Sequence, residues 1–440
     1  MRISRCYFVC SRNLHYNVFI AGAGTAGLAA SAALRRLLPS ISIGIADGAT
    51  YHYYQPSWSL AAVNLTSFVK NRKHLKSLIP KGVNWIQTNV KQFFPEDNYI
   101  LLDNSEEVTY DYMLVTCGLE MNYESISGLE MALENDDSVF TIFDAKYHNK
   151  AYKAISSYTG NEAAIFTYPM NENFKCRGAA AKIMFLANDV FQANGIASSN
   201  CWFITPKDYI FSVARYNKPF ETIANERSFK LLYGHDIKFM DCSRKELRVM
   251  DMKSNTEKVI KYGLMHVTPE MRCPKPIRSC SNLVDPSGFV NVNPQSLQHV
   301  KYKNIISFGD CSNVPTSKTA AAASEQLRTV VPNVIRLIKN DDTEAFPKYT
   351  GYTACPLLCG SSKLILAEFD FCKNPMETFP IDQRKPSRLM YLTKKYTMPW
   401  IYWNMLVRGH WYGPTVWRKY LNKFAFWKRD TSTTQLSDNN

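Results

Sequence analysis

No acidic residue precedes Asp47, although Arg2, Arg5, Arg12, Arg35 and Arg36 all do. Residues 1–16 hold three Arg, two Ser and two Cys. They read as a mitochondrial presequence, with an ordinary basic tail as the alternative. No apolar run reaches the roughly 18 residues that a membrane-spanning helix needs, so any membrane contact is at the surface. No CxxC pair occurs among the twelve cysteines, whose spacing is irregular. That argues against a zinc site and against a secreted disulfide framework, and none of His52, His235 and His266 belongs to a metal-like cluster, so no metal is expected. Acid is missing again from Gln383 through Arg429, a stretch with eleven Lys or Arg.

The 440 residues, 46% hydrophobic and 20% charged, suit a globular chain of two or three domains. A net charge of +14 calls for an anionic partner: nucleic acid, anionic lipid or a small anion. Asn17–Ala21 reads as a buried strand, followed by Gly22-Ala23-Gly24-Thr25-Ala26-Gly27, a helix from Leu28 to Leu38, and a strand from Ile41 to Asp47. This is a βαβ unit with a dinucleotide fingerprint. Gly22 permits the turn, Gly24 the approach of a pyrophosphate, and Gly27 close helix–sheet packing; Asp47 stands where a carboxylate meets a ribose. Further strands are read at Tyr112–Thr116, Ala163–Tyr168, Cys201–Thr205 and Asn304–Phe308, with helices at Gly178–Ala193 and Ala320–Asn340 despite Pro332. The alternation predicts α/β layers with parallel sheets.

Gly309-Asp310, at the end of a late strand, favours FAD over NAD, because a carboxylate there can meet a flavin ribityl chain. A second glycine fingerprint is lacking. After Ala163–Tyr168 come Pro169 and Met170–Gly178 (MNENFKCRG), where a nicotinamide-binding turn would stand.

These residues, with YHYYQP (51–56), MHVTPEM (265–271), SFGDCSNVPTSKTAAA (307–322), GYTACPL (351–357), ILAEFD (365–370), TFPIDQ (378–383) and WIYWNMLVRG (400–409), resemble the sulfide:quinone oxidoreductase family, mitochondrial type. The resemblance implies two Rossmann-like domains of the glutathione-reductase type and a C-terminal region with amphipathic membrane-binding helices. The expected boundaries are 1–16 presequence, 17–144 and 266–345 FAD domain, 145–265 second Rossmann-like domain, 346–429 redox and membrane region, and 430–440 disordered tail. It further implies FAD, held by Gly22, Gly24, Thr25, Ala26, Gly27, Asp47, Gln55, Val90, Asp310 and Lys318, and a redox pair, Cys176 and Cys355. The implied partners are hydrogen sulfide, a ubiquinone-type quinone, and a small sulfur acceptor such as glutathione or sulfite, on the mitochondrial inner membrane as a peripheral protein. The sequence departs from the family at Arg177, Ala180 and Glu270. Phe140 stands where bacterial relatives carry a third cysteine.

On this reading hydrosulfide attacks a Cys176–Cys355 disulfide at Cys355, leaving a persulfide, and Cys176 departs as a thiolate that reduces the flavin. Lys175, Arg177 and a following helix N-terminus are expected to favour that thiolate. Cys359 is the rival of Cys355. Cys117, Cys273 and Cys280 lack a supporting motif, and His52, His235 and His266 read as structural. At the C-terminus, Pro399 and Pro414 read as first-turn prolines. Trp417, Tyr420, Leu421, Phe424 and Trp427 share one helical face, with Arg418, Lys419, Asn422 and Lys423 on the other. That pattern at 388–427 favours anionic lipid over nucleic acid. The competing readings are a type II NADH:quinone reductase, a soluble flavocytochrome-type sulfide dehydrogenase, and an FAD-binding paralogue without catalysis.

Overall fold

The computed structural model describes residues 14–341 and 345–421. Residues 1–13 of the expected presequence and the expected tail at 430–440, with Phe424 and Trp427, lie outside the described residues.

Strand β1 (Leu14–Ala21) is buried along its second half and leads into helix α1 (Thr25–Leu37). It begins at Leu14 rather than Asn17, because Leu14, His15 and Tyr16 already pair with Val108, Thr109 and Tyr110. Those three residues of the stretch read as presequence are therefore sheet. Helix α1 has no side-chain cap and no acid in its first turn, so its leading amides stay free; Arg35 and Arg36 complement the dipole of its last turn.

β1 lies between β2 (Ile43–Ala46) and β3 (Glu107–Val115), parallel to both, and β2 continues the parallel set to Val83–Ile86. Besides β1, β3 serves two further partners on its other edge. Its first half pairs antiparallel with Tyr99–Leu102, and Met113–Val115 pair in parallel with Ile305–Ser307. Chain from both ends of the sequence thus meets in one sheet.

In a second seven-stranded sheet, β4 (Ala163–Thr167) lies between Cys201–Ile204 and Thr256–His266, parallel to both. Val139–Phe140 joins this sheet ahead of residue 145. Helix α2 (Ala179–Ala193) covers one face, with an almost wholly buried first half. Helix α3 (Ala320–Lys339) is capped by Thr319, whose hydroxyl accepts from the Ala322 N–H at 3.0 Å, and it packs on α1. β5 (Thr353–Leu358) and β6 (Leu364–Phe369) form a separate antiparallel pair that places Cys355 opposite Ala367 and packs on α2.

The C-terminal helices depart from the sequence reading in two ways. Pro399 is not at a helix start. It lies inside one helix over residues 388–406, capped by Ser387 and widened into π turns at Thr393–Thr397 and Tyr402–Leu406. Proline donates no backbone hydrogen bond, and π widening accommodates the gap in the ladder. Arg418, expected on the polar face of helix α4 (Thr415–Leu421), is buried over the Tyr352 ring, 4.5 Å from its centroid. Lys419 is exposed as expected, and so are Val416, Trp417 (57%) and Tyr420 (61%). Leu389, Leu392, Tyr396 and Trp400 form a matching exposed stripe on the preceding helix. Among the described residues, no helix is long and apolar enough to cross a membrane.

Candidate active site

A cavity of about 950 Å³ is walled by the α1 turn, the loop before α2, the start of α3 and the C-terminal helices. Gly24, Thr25, Ala26, Asp47, Gln55, Asp310 and Lys318 all line it. Gly22 and Gly27 shape the turn from behind. Gly22 has a left-handed φ of 98°, and a Cβ on Gly27 would lie 2.0 Å from the Gly22 carbonyl oxygen. The Asp47 carboxylate accepts from the Ala23 N–H at 2.7 Å, which locks the turn to the end of β2. Val90 is not brought to the cavity; its side chain belongs to the core of the first sheet. Gly27→Ala is therefore expected to cost about 1–3 kcal/mol by overpacking and to lower bound dinucleotide. Chemical denaturation and visible absorbance per polypeptide measure the two effects.

Cys176 lies on the cavity wall, in the loop between β4 and α2. Its φ is 51°, a left-handed conformation that costs a non-glycine residue on the order of 1 kcal/mol or more. The loop is pinned there by the Cys176 N–H, which donates to the Lys318 carbonyl at 3.0 Å. Its Sγ is 3.7 Å from Cys355 Sγ. Gly178 makes this approach possible, since a Cβ there would sit 2.5 Å from Leu357 and 2.9 Å from Cys355 Sγ. Cys355 is 1% exposed and lies behind Cys176 rather than on the wall.

The electrostatics separate the two thiols. A hydrogen bond from the Cys355 thiol, then the charge of Lys182, hold Cys176 well below the usual thiol range. The same hydrogen bond, with burial, pushes Cys355 up. Lys182 Nζ is 2.9 Å from Cys176 Sγ and 3.9 Å from Cys355 Sγ. Burial works against the charge of Lys182, yet the neighbouring thiolate raises its pKa overall. Lys394 is also buried; burial and the charge of Lys182 bring its pKa down to about 7, and its Nζ donates to the Pro56 carbonyl at 2.8 Å.

The flanking cations act differently from the sequence reading. Arg177 pairs with Glu172 at 3.0 Å, and Lys175 reaches toward Gln55 at 3.4 Å. The first amide of α2, on Ala179, bonds the Cys176 carbonyl at 2.8 Å. Cys359 points its thiol at the Leu357 carbonyl, and burial pushes its pKa up to about 12.

A model of the pyridine nucleotide-disulphide oxidoreductase family matches residues 16–167. The mitochondrial sulfide:quinone oxidoreductase of Mus musculus is 36% identical over 414 residues, covering 93% of this chain and 90% of the relative. The chain belongs to the sulfide:quinone oxidoreductase family. A mitochondrial relative from Dictyostelium discoideum is 35% identical over 90% of this chain and 87% of its own. The fold agrees with the crystal structure of the sulfide:quinone oxidoreductase of Aquifex aeolicus, at TM-score 0.77 and 18% identity over 93% of this chain and 95% of that one.

The cavity of this sulfide:quinone oxidoreductase family member fits FAD. The uncapped α1 amides suit a pyrophosphate. Lys318 is 5% exposed; its Nζ donates to the Ser312 carbonyl at 2.8 Å and lies 4.5 Å from the centroid of the Phe289 ring; a buried cation there suits an electron-rich flavin. Sequence reasoning missed Lys182, Lys394 and Gly178. Lys182 carried a signal, as the lone charge in AAAKIMFLAN, whereas Lys394 looks like one of a solvated pair. His52 was read as structural. Its Nε2 lies 2.6 Å from the Tyr402 hydroxyl, which lies 2.7 Å from Thr25 Oγ1, so it ties the nucleotide turn to the C-terminal helix. Phe140, at the place of the bacterial cysteine, is fully buried with its ring edge-on to His266.

Proposed function

We propose that this chain is a mitochondrial sulfide:quinone oxidoreductase, peripheral on the inner membrane, in which Cys176 and Cys355 oxidise hydrosulfide. The observation that carries the reading is the pair of sulfurs at 3.7 Å, one on the dinucleotide cavity, with a buried lysine against both. In the oxidised state the two sulfurs are bonded and Lys182 has lost its thiolate partner. The site is then electropositive, and a small anion such as hydrosulfide restores the balance. Attack forms a bond between the sulfide sulfur and Cys355 Sγ and breaks the bond to Cys176. The electron pair leaves on Cys176, the sulfur whose thiolate is the more stable. Lys182 compensates that charge. The outer sulfur of the Cys355 persulfide passes to an acceptor thiolate or sulfite, freeing Cys355 to close the disulfide again. That closure releases two electrons from the thiolate pair, and bound FAD would supply the acceptor for them on their way to quinone.

Gly22, Gly24, Thr25, Ala26, Gly27, Asp47, Gln55, Asp310 and Lys318 would hold the cofactor. Trp400, Met405 and Trp417 line the same cavity, and two of these are the exposed aromatics of the C-terminal helices. A cavity opening among such residues suits a quinone that arrives from the bilayer. The deciding experiment is a titration of the purified flavoprotein. Sulfide bleaches the flavin, NADH does not, and a short-tailed ubiquinone restores the colour. Bleaching by NADH and not by sulfide would place the chain with the NADH:quinone reductases.

Lys394 gives a pH prediction. Its ammonium is present below about pH 7 and is lost above it, so it assists an incoming anion only on the acidic side. The pH profile of sulfide-dependent bleaching is expected to carry a falling limb near that value. The limb disappears in Lys394→Met.

A further inference from the structure

A second pocket, of about 530 Å³, lies apart from the redox cavity and is lined by Arg35, Arg36, Lys81, Arg408 and His410, with no carboxylate on its wall. It is built by two distant parts of the chain. Arg35 and Arg36 come from the last turn of α1, and Arg408 and His410 from the turn after the helix of residues 388–406. The turn seats tightly on α1. Gly409 has a φ of 72°, and a Cβ there would lie 2.4 Å from the Ala33 nitrogen. Arg36 donates to the Gly409 carbonyl at 2.7 Å and to the Tyr412 hydroxyl at 3.1 Å, while Arg35 donates to the Ile41 carbonyl at 3.0 Å. Arg408 reaches the Ser77 carbonyl at 3.5 Å. These partners are neutral, so the pocket keeps its positive charge.

Its place on the surface identifies the ligand. Leu392, Tyr396 and Trp400 recur at every fourth position on the exposed face of the 388–406 helix. The wide π turns slow the helical rotation, so residues four apart stay in line. Asn404 is the next position of that line, Arg408 follows in the turn that ends the helix, and both line the pocket. An exposed apolar stripe thus runs straight into a fixed cluster of arginines. An apolar stripe enters the acyl boundary of a bilayer, and the cations beside it then lie at the depth of the phosphates.

We propose that this pocket binds the phosphodiester headgroup of an anionic lipid. The proposal rests on the membrane-surface reading above. The test is flotation of the full chain, with its flavin, on vesicles of phosphatidylcholine alone and of phosphatidylcholine mixed with phosphatidylglycerol. The variant is Lys81→Glu with Arg408→Glu; the charge-matched control is Lys253→Glu with Lys261→Glu, both exposed on the hairpin arm of the second sheet and outside either pocket. Retained flavin reports folding. The expected result is that the pocket variant binds the mixed vesicles about tenfold or more weakly, since each surface cation contributes appreciably to anionic-lipid binding. The control keeps its affinity, and both bind phosphatidylcholine as the unsubstituted chain does. Equal losses in variant and control mean that bulk charge alone acts, and overturn the pocket. Thermal stabilisation by inorganic phosphate that the pocket variant lacks, with unchanged vesicle binding, makes the ligand a free anion and also overturns it. An unsubstituted chain that floats on neither vesicle overturns the membrane reading itself, a different result from either.

Discussion

Cys176→Ser and Cys355→Ser are each expected to abolish bleaching of the bound flavin by sulfide, by at least about a thousandfold in rate, as removal of a nucleophile does. The loss is chemical rather than structural, because serine fills either site and the flavin stays bound. The two variants differ in what they retain. Cys176→Ser keeps Cys355, which is 1% exposed and whose thiol burial pushes up, so it alkylates slowly. Cys355→Ser keeps Cys176 beside Lys182, so its thiol alkylates quickly at neutral pH. The order of attack is read separately, by trapping the unsubstituted enzyme after one turnover without acceptor and locating the added sulfur by mass spectrometry. The leaving-group argument puts it on Cys355. The 1% exposure of Cys355 opposes easy entry, so attack there requires the loop around Cys176 to yield. That loop is held in a strained left-handed conformation, which lowers the cost of moving it. Sulfur found on Cys176 would reverse the order of attack and leave Lys182 to stabilise Cys355 instead.

The first βαβ unit was legible because every part of it is local. The strand, glycine turn, helix and acid lie within residues 17–47, and each glycine answers a short-range steric demand. The helices α2 and α3 were legible for the same reason, with boundaries close to those read from the sequence. The thiol pair was not legible from spacing. Cys176 lies in the loop before α2 and Cys355 on β5, 179 positions apart, and only the resemblance singled them out. The source of the thiolate's stability was misread because proximity in sequence stood in for proximity in space. Lys175 and Arg177 flank Cys176 but point elsewhere, while Lys182 returns to it from the first turn of α2. The C-terminal helices show the same limit. Their aromatic content was plain, but a helix with two π segments does not keep the rotation of an α-helix. Arg418 also turns inward to a tyrosine and a glutamate that no local pattern announces.

Lys182→Met tests that correction directly. Methionine preserves the buried stem and removes the ammonium 2.9 Å from Cys176 Sγ. An opposite charge at this range favours the thiolate, so without the ammonium the Cys176 thiol is expected to titrate higher. Its alkylation at neutral pH should slow roughly tenfold or more, in keeping with the smaller thiolate fraction. The same change removes a like charge from Lys394, whose pKa Lys182 helps to lower. The falling limb of the pH profile therefore moves to higher pH in Lys182→Met, an effect that a purely structural disturbance does not produce. Arg177→Met is the control: its guanidinium is occupied by Glu172, and it leaves the thiol titration close to that of the unsubstituted chain. The opposite pattern, a large shift with Arg177→Met and none with Lys182→Met, would return the thiolate's stability to the flanking residues and remove Lys182 from the reaction.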